Sequence, residues 1–201
     1  MARPTLSTLP PLKGDGDGRF RIHIVGNSEQ STLARELSAI LDIPHIALDA
    51  FFWKPGWEKS TNEELKNKIR EALSRSPRGW IIDGNYIKRA GEVFEPAVTD
   101  KIWLDPPLVL YFPRIFVRTF LRILRLRAPC SPGCDETIRE NFSKKSILLW
   151  CLQQHTPVRE RNRKYMELND VRVGGKMRRL GGWGGEQREW VEAVKESVRR
   201  R

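Results

Sequence analysis

Residues 19–41 read RFRIHIVGNSEQSTLARELSAIL. Arg19–Val25 carries Phe20, Ile22, Ile24 and Val25 and reads as a buried strand. Ser31–Leu41 follows with Leu33, Leu37, Ile40 and Leu41 at i, i+4, i+7 and i+8, the apolar stripe of a helix. Between them Gly26-Asn27-Ser28-Glu29-Gln30 makes the turn. A strand that passes through a glycine turn into a helix headed by Ser31-Thr32 is a setting in which backbone N–H groups meet an anion, helped by the positive end of the helix dipole. The full phosphate-loop pattern is G-x-x-x-x-G-K-[ST]. Here Gly26 and Ser31 are five residues apart instead of seven, the second Gly and the Lys are absent, and Glu29 and Gln30 stand between. A glycine after a strand is also an ordinary turn.

Working outward, short apolar runs keep alternating with helical patterns, which predicts an α/β fold with a parallel sheet covered on both faces. His45–Leu48 is a second expected strand, ending at Asp49. Asn62–Leu73 is an expected helix capped by Ser60 or Thr61, with Glu63 and Glu64 in its first turn. Trp80–Ile82 and Lys101–Leu104 are further strands, ending at Asp83-Gly84-Asn85-Tyr86 and Asp105-Pro106-Pro107. A long helix is expected from Pro107 to about Arg127, kinked at Pro113. The spacing then gives a tight loop at 129–134 (PCSPGC), a helix over 135–153, a last strand within Val171–Leu180, and a closing helix over Glu186–Arg199 after the glycines at 181–185.

The chain has 201 residues, 39% hydrophobic and 30% charged, the composition of one globular domain rather than a fibrous or disordered class. We expect residues 1–18 to be a flexible tail and 19–201 a single domain. Three cysteines cannot staple a secreted mini-domain, so a reducing, cytoplasmic setting is expected. The net charge is +11, and all of it lies in one half: residues 1–100 hold 14 basic and 14 acidic side chains, residues 101–201 hold 22 and 11. That asymmetry points to a polyanionic partner, whether nucleotide phosphates, nucleic acid or an acidic surface. No membrane span is expected. The most apolar stretch, Leu108–Leu126, contains Arg114, Arg118, Arg122 and Arg125, each costing about 2.5–3.5 kcal/mol at a bilayer centre.

Taken together, IHIVGNS…STLARELSAIL, IPHIALDAFFWKPGW, WIIDGNY and IWLDPP resemble the adenylate-kinase-related P-loop kinases of the P-loop NTPase superfamily. Within them the resemblance is to the subgroup often labelled DNA-topology-modulation proteins, over roughly residues 20–150. It implies a three-layer P-loop NTPase fold with a five-stranded parallel sheet and a helical lid-like insertion, here about 107–165. It also implies ATP or GTP with Mg²⁺, and transfer of a phosphoryl group to a nucleotide or small hydroxyl acceptor. Carried across by resemblance, Gly26, Asn27, Ser28, Gln30, Ser31 and Thr32 form the phosphate loop. Ser31 and Asp83 stand on the Mg²⁺ side, and Asp49 orients or deprotonates the acceptor. The missing lysine leaves three alternatives open: nucleotide binding without catalysis, an arginine in the lysine's role, or a loop two codons shorter than the gene's true one. Glu29 is expected to add repulsion beside the phosphates.

Asp49 and Asp83 follow strands at the sheet end where open α/β folds place ligands, although each also suits a turn cap. Trp53, Trp57, Asn85 and Tyr86 are candidate acceptor contacts, with core packing the alternative for the aromatics. Arg114, Arg118, Arg122 and Arg125 recur at spacings of 4, 4 and 3, an arc of about 80° over roughly 16 Å of helix. Phe116, Phe120, Ile123 and Leu124 are expected to pack on the opposite side. No acidic residue lies between Leu108 and Ala128, so an anion is expected beside these arginines. Arg118 and Arg122 suit the transferring phosphate, because a guanidinium bonds two phosphate oxygens at once. Arg125 and Arg127 are further candidates for nucleotide contacts. Cys130, Cys134, Cys151 and His155 form a weak Cys₃His set, but C-x₃-C is not the usual spacing and zinc is not expected. The basic runs Arg159–Lys164, Lys176–Arg179 and Arg199–Arg201 keep a second function class open: a non-catalytic basic protein that binds nucleotide or nucleic acid.

Overall fold

The computed structural model describes residues 9–129, 131–134 and 147–200. Five strands form one parallel sheet: β1 (Phe20–Gly26), β2 (His45–Ala47), β5 (Gly79–Asp83), β6 (Asp100–Asp105) and β7 (Met177–Gly181). Their spatial order is β2-β5-β1-β6-β7. A separate two-stranded hairpin pairs β3 (Trp53–Lys54) with β4 (Glu58–Lys59). Central β1, β5 and β6 are buried on both faces, as a parallel sheet covered by helices requires.

Two helices cover one face. From α1 (Gln30–Leu41), Leu33, Ala34 and Leu37 meet Ile22 and Ile24 of β1. From α7 (Gly185–Arg199), Trp190, Val191 and Val194 pack on the same cluster. The opposite face is covered in two parts. Leu65 and Ile69 of α3 (Asn62–Ser74) and Ala90 and Phe94 of α4 (Ile87–Phe94) meet Ile46, Trp80 and Ile82. Val25, Trp103 and Met177 meet Met166 of α6 (Ile147–Asn169). Each fully buried leucine or isoleucine in these layers contributes about 1.5–3 kcal/mol. The remaining helices are the short α2 (Leu48–Phe52) and α5 (Leu108–Ile123), which packs on α6 through Tyr111, Ile115 and Cys151.

Several expectations are revised. The second strand stops at Ala47, and Asp49 lies inside α2. Thr61, not Ser60, caps α3, in a reciprocal box. Its Oγ1 accepts from the Glu64 amide at 3.2 Å, and its own amide donates to Glu64 Oε2 at 2.8 Å. Helix α4 has no counterpart among the expected elements. The long helix ends at Ile123, and Arg125 turns left-handed with φ 57°. Its buried row is Tyr111, Ile115 and Thr119, whereas Phe116, Phe120 and Leu124 are about half exposed. Of the helix expected over 135–153, residues 135–146 lie outside the described residues, as do Cys130 and residues 1–8.

Residues 9–14, expected to belong to a flexible tail, are strapped across the molecule. Leu9 and Leu12 are buried in the α1/α7 cluster. The Lys13 and Gly14 amides donate to Asp100 at 2.8 and 2.9 Å, and the Pro10 and Pro11 carbonyls accept from Trp190 and Arg178 at 3.2 Å each. Asp100 and Arg178 form a fully buried pair at 2.9 Å. The strap adds hydrogen bonds to both members of the pair, which helps a buried ion pair to be tolerated. Among the described residues no helix is long and apolar enough to cross a membrane.

Candidate functional site

Adjacent strands β1 and β5 send their chains to opposite faces, into α1 and α4, which opens a crevice at their carboxyl ends. The Gly84 amide donates to the Ile24 carbonyl at 3.2 Å and ties the two strand ends together.

On the β1 side, Gly26 takes φ 150°, and a Cβ there would lie 2.3 Å from the Leu104 carbonyl oxygen. Only glycine fits so close against β6. Glu29 adopts the left-handed region, and α1 starts at Gln30 without a side-chain cap. The Thr32 and Leu33 amides fold back onto the Glu29 carbonyl, at 3.1 Å each. The amides ahead of them have no protein acceptor in that turn, the usual state of a helix head. Gln30 Nε2 donates to the Gly26 carbonyl at 2.7 Å, crossing the loop where a longer phosphate loop keeps its lysine. Glu29 pairs with Arg114. Its charge is thus matched, and the expected repulsion is relieved by occupying the first arginine of the rail.

On the β5 side, Asp83 is buried and accepts on both oxygens. Ser31 Oγ donates to Oδ2, and His45 Nε2 lies 3.0 Å from Oδ1. A hydroxyl and a carboxylate joined at a helix head are hard oxygen donors of the kind Mg²⁺ takes together with water and phosphate oxygens, so the residues present fit that ion. Asn85 Nδ2 donates to the Gly26 carbonyl at 2.5 Å, and its Oδ1 accepts from the Gly26 amide at 3.4 Å. Asn85, expected at the acceptor, thus bonds both backbone groups of Gly26 in the turn after β1.

Asp49, at the start of α2, accepts from the Tyr86 hydroxyl at 2.6 Å. Its residue reaches solvent at the crevice mouth, but the atoms crowding its carboxyl raise its pKa above the ordinary carboxylate value. The Tyr86 bond opposes this, Asp83 adds to it, and Arg118 and Arg122 work against it. Beside it Phe52, Trp53, Trp57 and Tyr86 form an aromatic wall, with ring centroids 4.9–5.4 Å apart. Arg89 lies 5.0 Å from the Phe52 ring centre.

The structure therefore brings together Gly26, Ser31, Asp49, Asp83, Tyr86, Arg118 and Arg122. Arg125 and Arg127 lie beyond the end of α5 and are exposed. Thr32 is exposed, Ser28 is buried, and Asn27 Nδ2 reaches the His155 carbonyl at 3.4 Å. The candidate zinc ligands do not converge among the described residues. Cys134 Sγ lies 3.1 Å from the Lys54 carbonyl, Cys151 is buried against α5, and His155 Nδ1 lies 2.8 Å from the Tyr111 hydroxyl. Burial pushes the Cys151 thiol up to about 11 and lowers His155, and the Arg159 charge acts on His155 in the same sense. Among the described residues no three His, Cys, Asp or Glu side chains are grouped as metal ligands.

Helix α6 supplies residues that sequence reasoning missed. Arg161 reaches Asn85 Oδ1 at 3.4 Å. Arg159 pairs with the buried Asp105 at 2.7 Å, and Arg179 of β7 joins the same carboxylate at 2.6 Å. The basic runs at 159–164 and 176–179 are the only sequence signal for them. In the PCSPGC loop, Ser131 Oγ donates to the Trp53 carbonyl at 2.9 Å, and the Gly56 amide donates to the Gly133 carbonyl at 2.8 Å. Residues 131–134 thus clasp the aromatic hairpin.

No family model and no curated protein sequence matches the chain. Solved structures similar to it include a gluconokinase from Sinorhizobium meliloti 1021, at 14% identity over 90% of this chain and 94% of that one, with a TM-score of 0.48. A shikimate kinase from Bacteroides thetaiotaomicron matches at 16% identity over 90% and 96%, TM-score 0.44. An uncharacterized protein from Eubacterium ventriosum ATCC 27560 matches at 14% over 90% and 97%, TM-score 0.38. At this level of likeness the neighbours' activities do not transfer to the chain.

Proposed function

We propose that the crevice holds the phosphates of ATP or GTP with Mg²⁺ at the head of α1, and that the chain passes the terminal phosphoryl group to a nucleotide or small hydroxyl acceptor lying against Asp49. One observation carries this reading: the Ser31–Asp83 pair and the Asp49–Tyr86 pair share one sheet end, near enough that the Asp83 charge acts on Asp49. The first pair is suited to a metal and phosphates, the second to a hydroxyl. Asp49 would accept the acceptor's proton as its oxygen attacks phosphorus, with the nucleoside diphosphate leaving. Arg118 and Arg122, whose charges act on Asp49, would stabilise charge on the group in flight. Bound Mg²⁺ would neutralise phosphate charge. Trp53 and Trp57 would offer a face for a sugar ring or base. Two arginines of the rail acting on a carboxyl at the crevice favour a small ligand over a nucleic-acid backbone.

A second reading, a basic nucleotide-binding protein without catalysis, is favoured by Gln30, which fills the loop with an amide where a cation is expected. Thermal denaturation with and without roughly millimolar Mg·ATP tests binding, since even a weak site adds stability by mass action. We expect a rise in Tm that Ser31→Ala and Asp83→Asn each remove. No rise in the wild-type chain would overturn both readings of the crevice. A rise without diphosphate release across a panel of hydroxyl acceptors, unchanged in Asp49→Asn, would select the second.

A further inference from the structure

His23 sits in the middle of β1 with no solvent exposure, behind the crevice rather than in it. Its Nδ1 faces Glu95, its Nε2 lies 3.0 Å from the Gly84 carbonyl oxygen, and Phe94 meets the ring edge-on at 5.0 Å. Both polar partners are acceptors, placed so that a ring nitrogen can donate to each.

Glu95 is braced as an anion. Burial pushes its carboxyl up, but the contacts with His23 and Lys101 outweigh that and hold it at about 2. Lys101 of β6, itself buried, donates to Glu95 at 2.7 Å and lies 4.4 Å from the Tyr165 ring centre on α6. Lys176, before β7, donates to the Glu95 carbonyl at 3.4 Å, and the Arg161 charge acts on Lys101.

What the ring holds is the turn that carries the site. Gly84 has φ 127°, and a Cβ there would come within 3.1 Å of the Tyr86 ring and 3.2 Å of Leu48. Its amide donates to Ile24 and its carbonyl faces His23, so two consecutive residues of β1 hold both its polar groups. Asp83 precedes it; Asn85 and Tyr86 follow.

From this geometry we infer that His23 is a positioning residue: a core ring, seated between Glu95 and the Gly84 carbonyl, that fixes the Asp83–Tyr86 turn. Only its effect on ligand rests on the phosphoryl-transfer reading; the turn is held with or without nucleotide.

Amide hydrogen exchange in the full-length chain tests this. After correction for intrinsic exchange, His23→Phe should lower protection of Gly84 and Asn85 about fivefold, the loss of one hydrogen bond. Leu65 and Ile69 in α3 should be unaffected. His23→Gln, whose amide can donate to Gly84, should recover much of the protection. Wild-type protection at Gly84 and Asn85 in His23→Phe, or equal loss in both variants, overturns the inference. Should His23→Phe not fold, Glu95→Ala with His23 kept serves: without its seat the ring should hold the Gly84 carbonyl less firmly and protection there should fall, and unchanged protection overturns the inference. Mg·ATP affinity is measured in parallel. Altered exchange with unaltered affinity keeps the strut and counts against the crevice reading alone.

Discussion

Asp49 must be ionised to accept a proton, yet the atoms around it favour its neutral form. A carboxyl raised above its usual value, about 3.9 for aspartate, is charged only at correspondingly higher pH. Phosphoryl transfer should therefore fail on the acid side at a pH above the ordinary carboxylate range, and Asp49→Asn should abolish that limb with the rate. A pH–rate profile that stays flat down to about pH 4 would remove Asp49 from the chemistry. Gly26 makes a sharper steric prediction. Gly26→Ala drives a methyl against the Leu104 carbonyl. We expect that overpacking to cost about 1–3 kcal/mol in chemical denaturation. Residues of this kind are legible in sequence because their signal is local: Gly26, Ser31, Asp49 and Asp83 each stand at the end of a strand pattern or the start of a helix. His45, Arg159 and Arg161 are not, because their partners Asp83, Asp105 and Asn85 lie 38, 54 and 76 positions away. Only the parallel register and the packing of α6 bring them in.

Helices whose ends carry a capping signal are the legible ones. Thr61 with Glu64 three residues on marks the start of α3. Thr61→Ala should cost about 1 kcal/mol, measurable as a shift in the urea midpoint at constant slope. By contrast α4 has no side-chain cap and carries Gly91, a poor helix former, in its middle. On α5 the pattern is ambiguous. Tyr111, Ile115 and Thr119 form one row and Phe116, Phe120 and Leu124 another, both at spacings of four. Periodicity finds two candidate faces and cannot choose between them. The structure buries the first row, which lies next to the arginines, and so draws Arg118 and Arg122 in toward Asp49. Had the other row packed, the same cations would have faced solvent.

For the molecule as a whole, a five-stranded parallel sheet covered on both faces was legible, since alternating strand and helix patterns permit few other arrangements. The strap at residues 9–14 was not. Two prolines, a lysine and a glycine read as part of a flexible tail, and the distant Trp190, Arg178 and Asp100 give them a fixed place. Removing residues 1–14 should destabilise the chain by at least about 3 kcal/mol, from two lost leucine burials and the hydrogen bonds at Asp100 and Arg178. An unchanged Tm on truncation would show the strap to be dispensable. The strap also orders events during synthesis. The Pro11 carbonyl waits for a partner 167 positions downstream and the Pro10 carbonyl for one 180 positions downstream. During synthesis those two carbonyls therefore wait for Arg178 and Trp190 even after Asp100 has met the Lys13 and Gly14 amides, and completion of the strap should be a late, slow step of maturation.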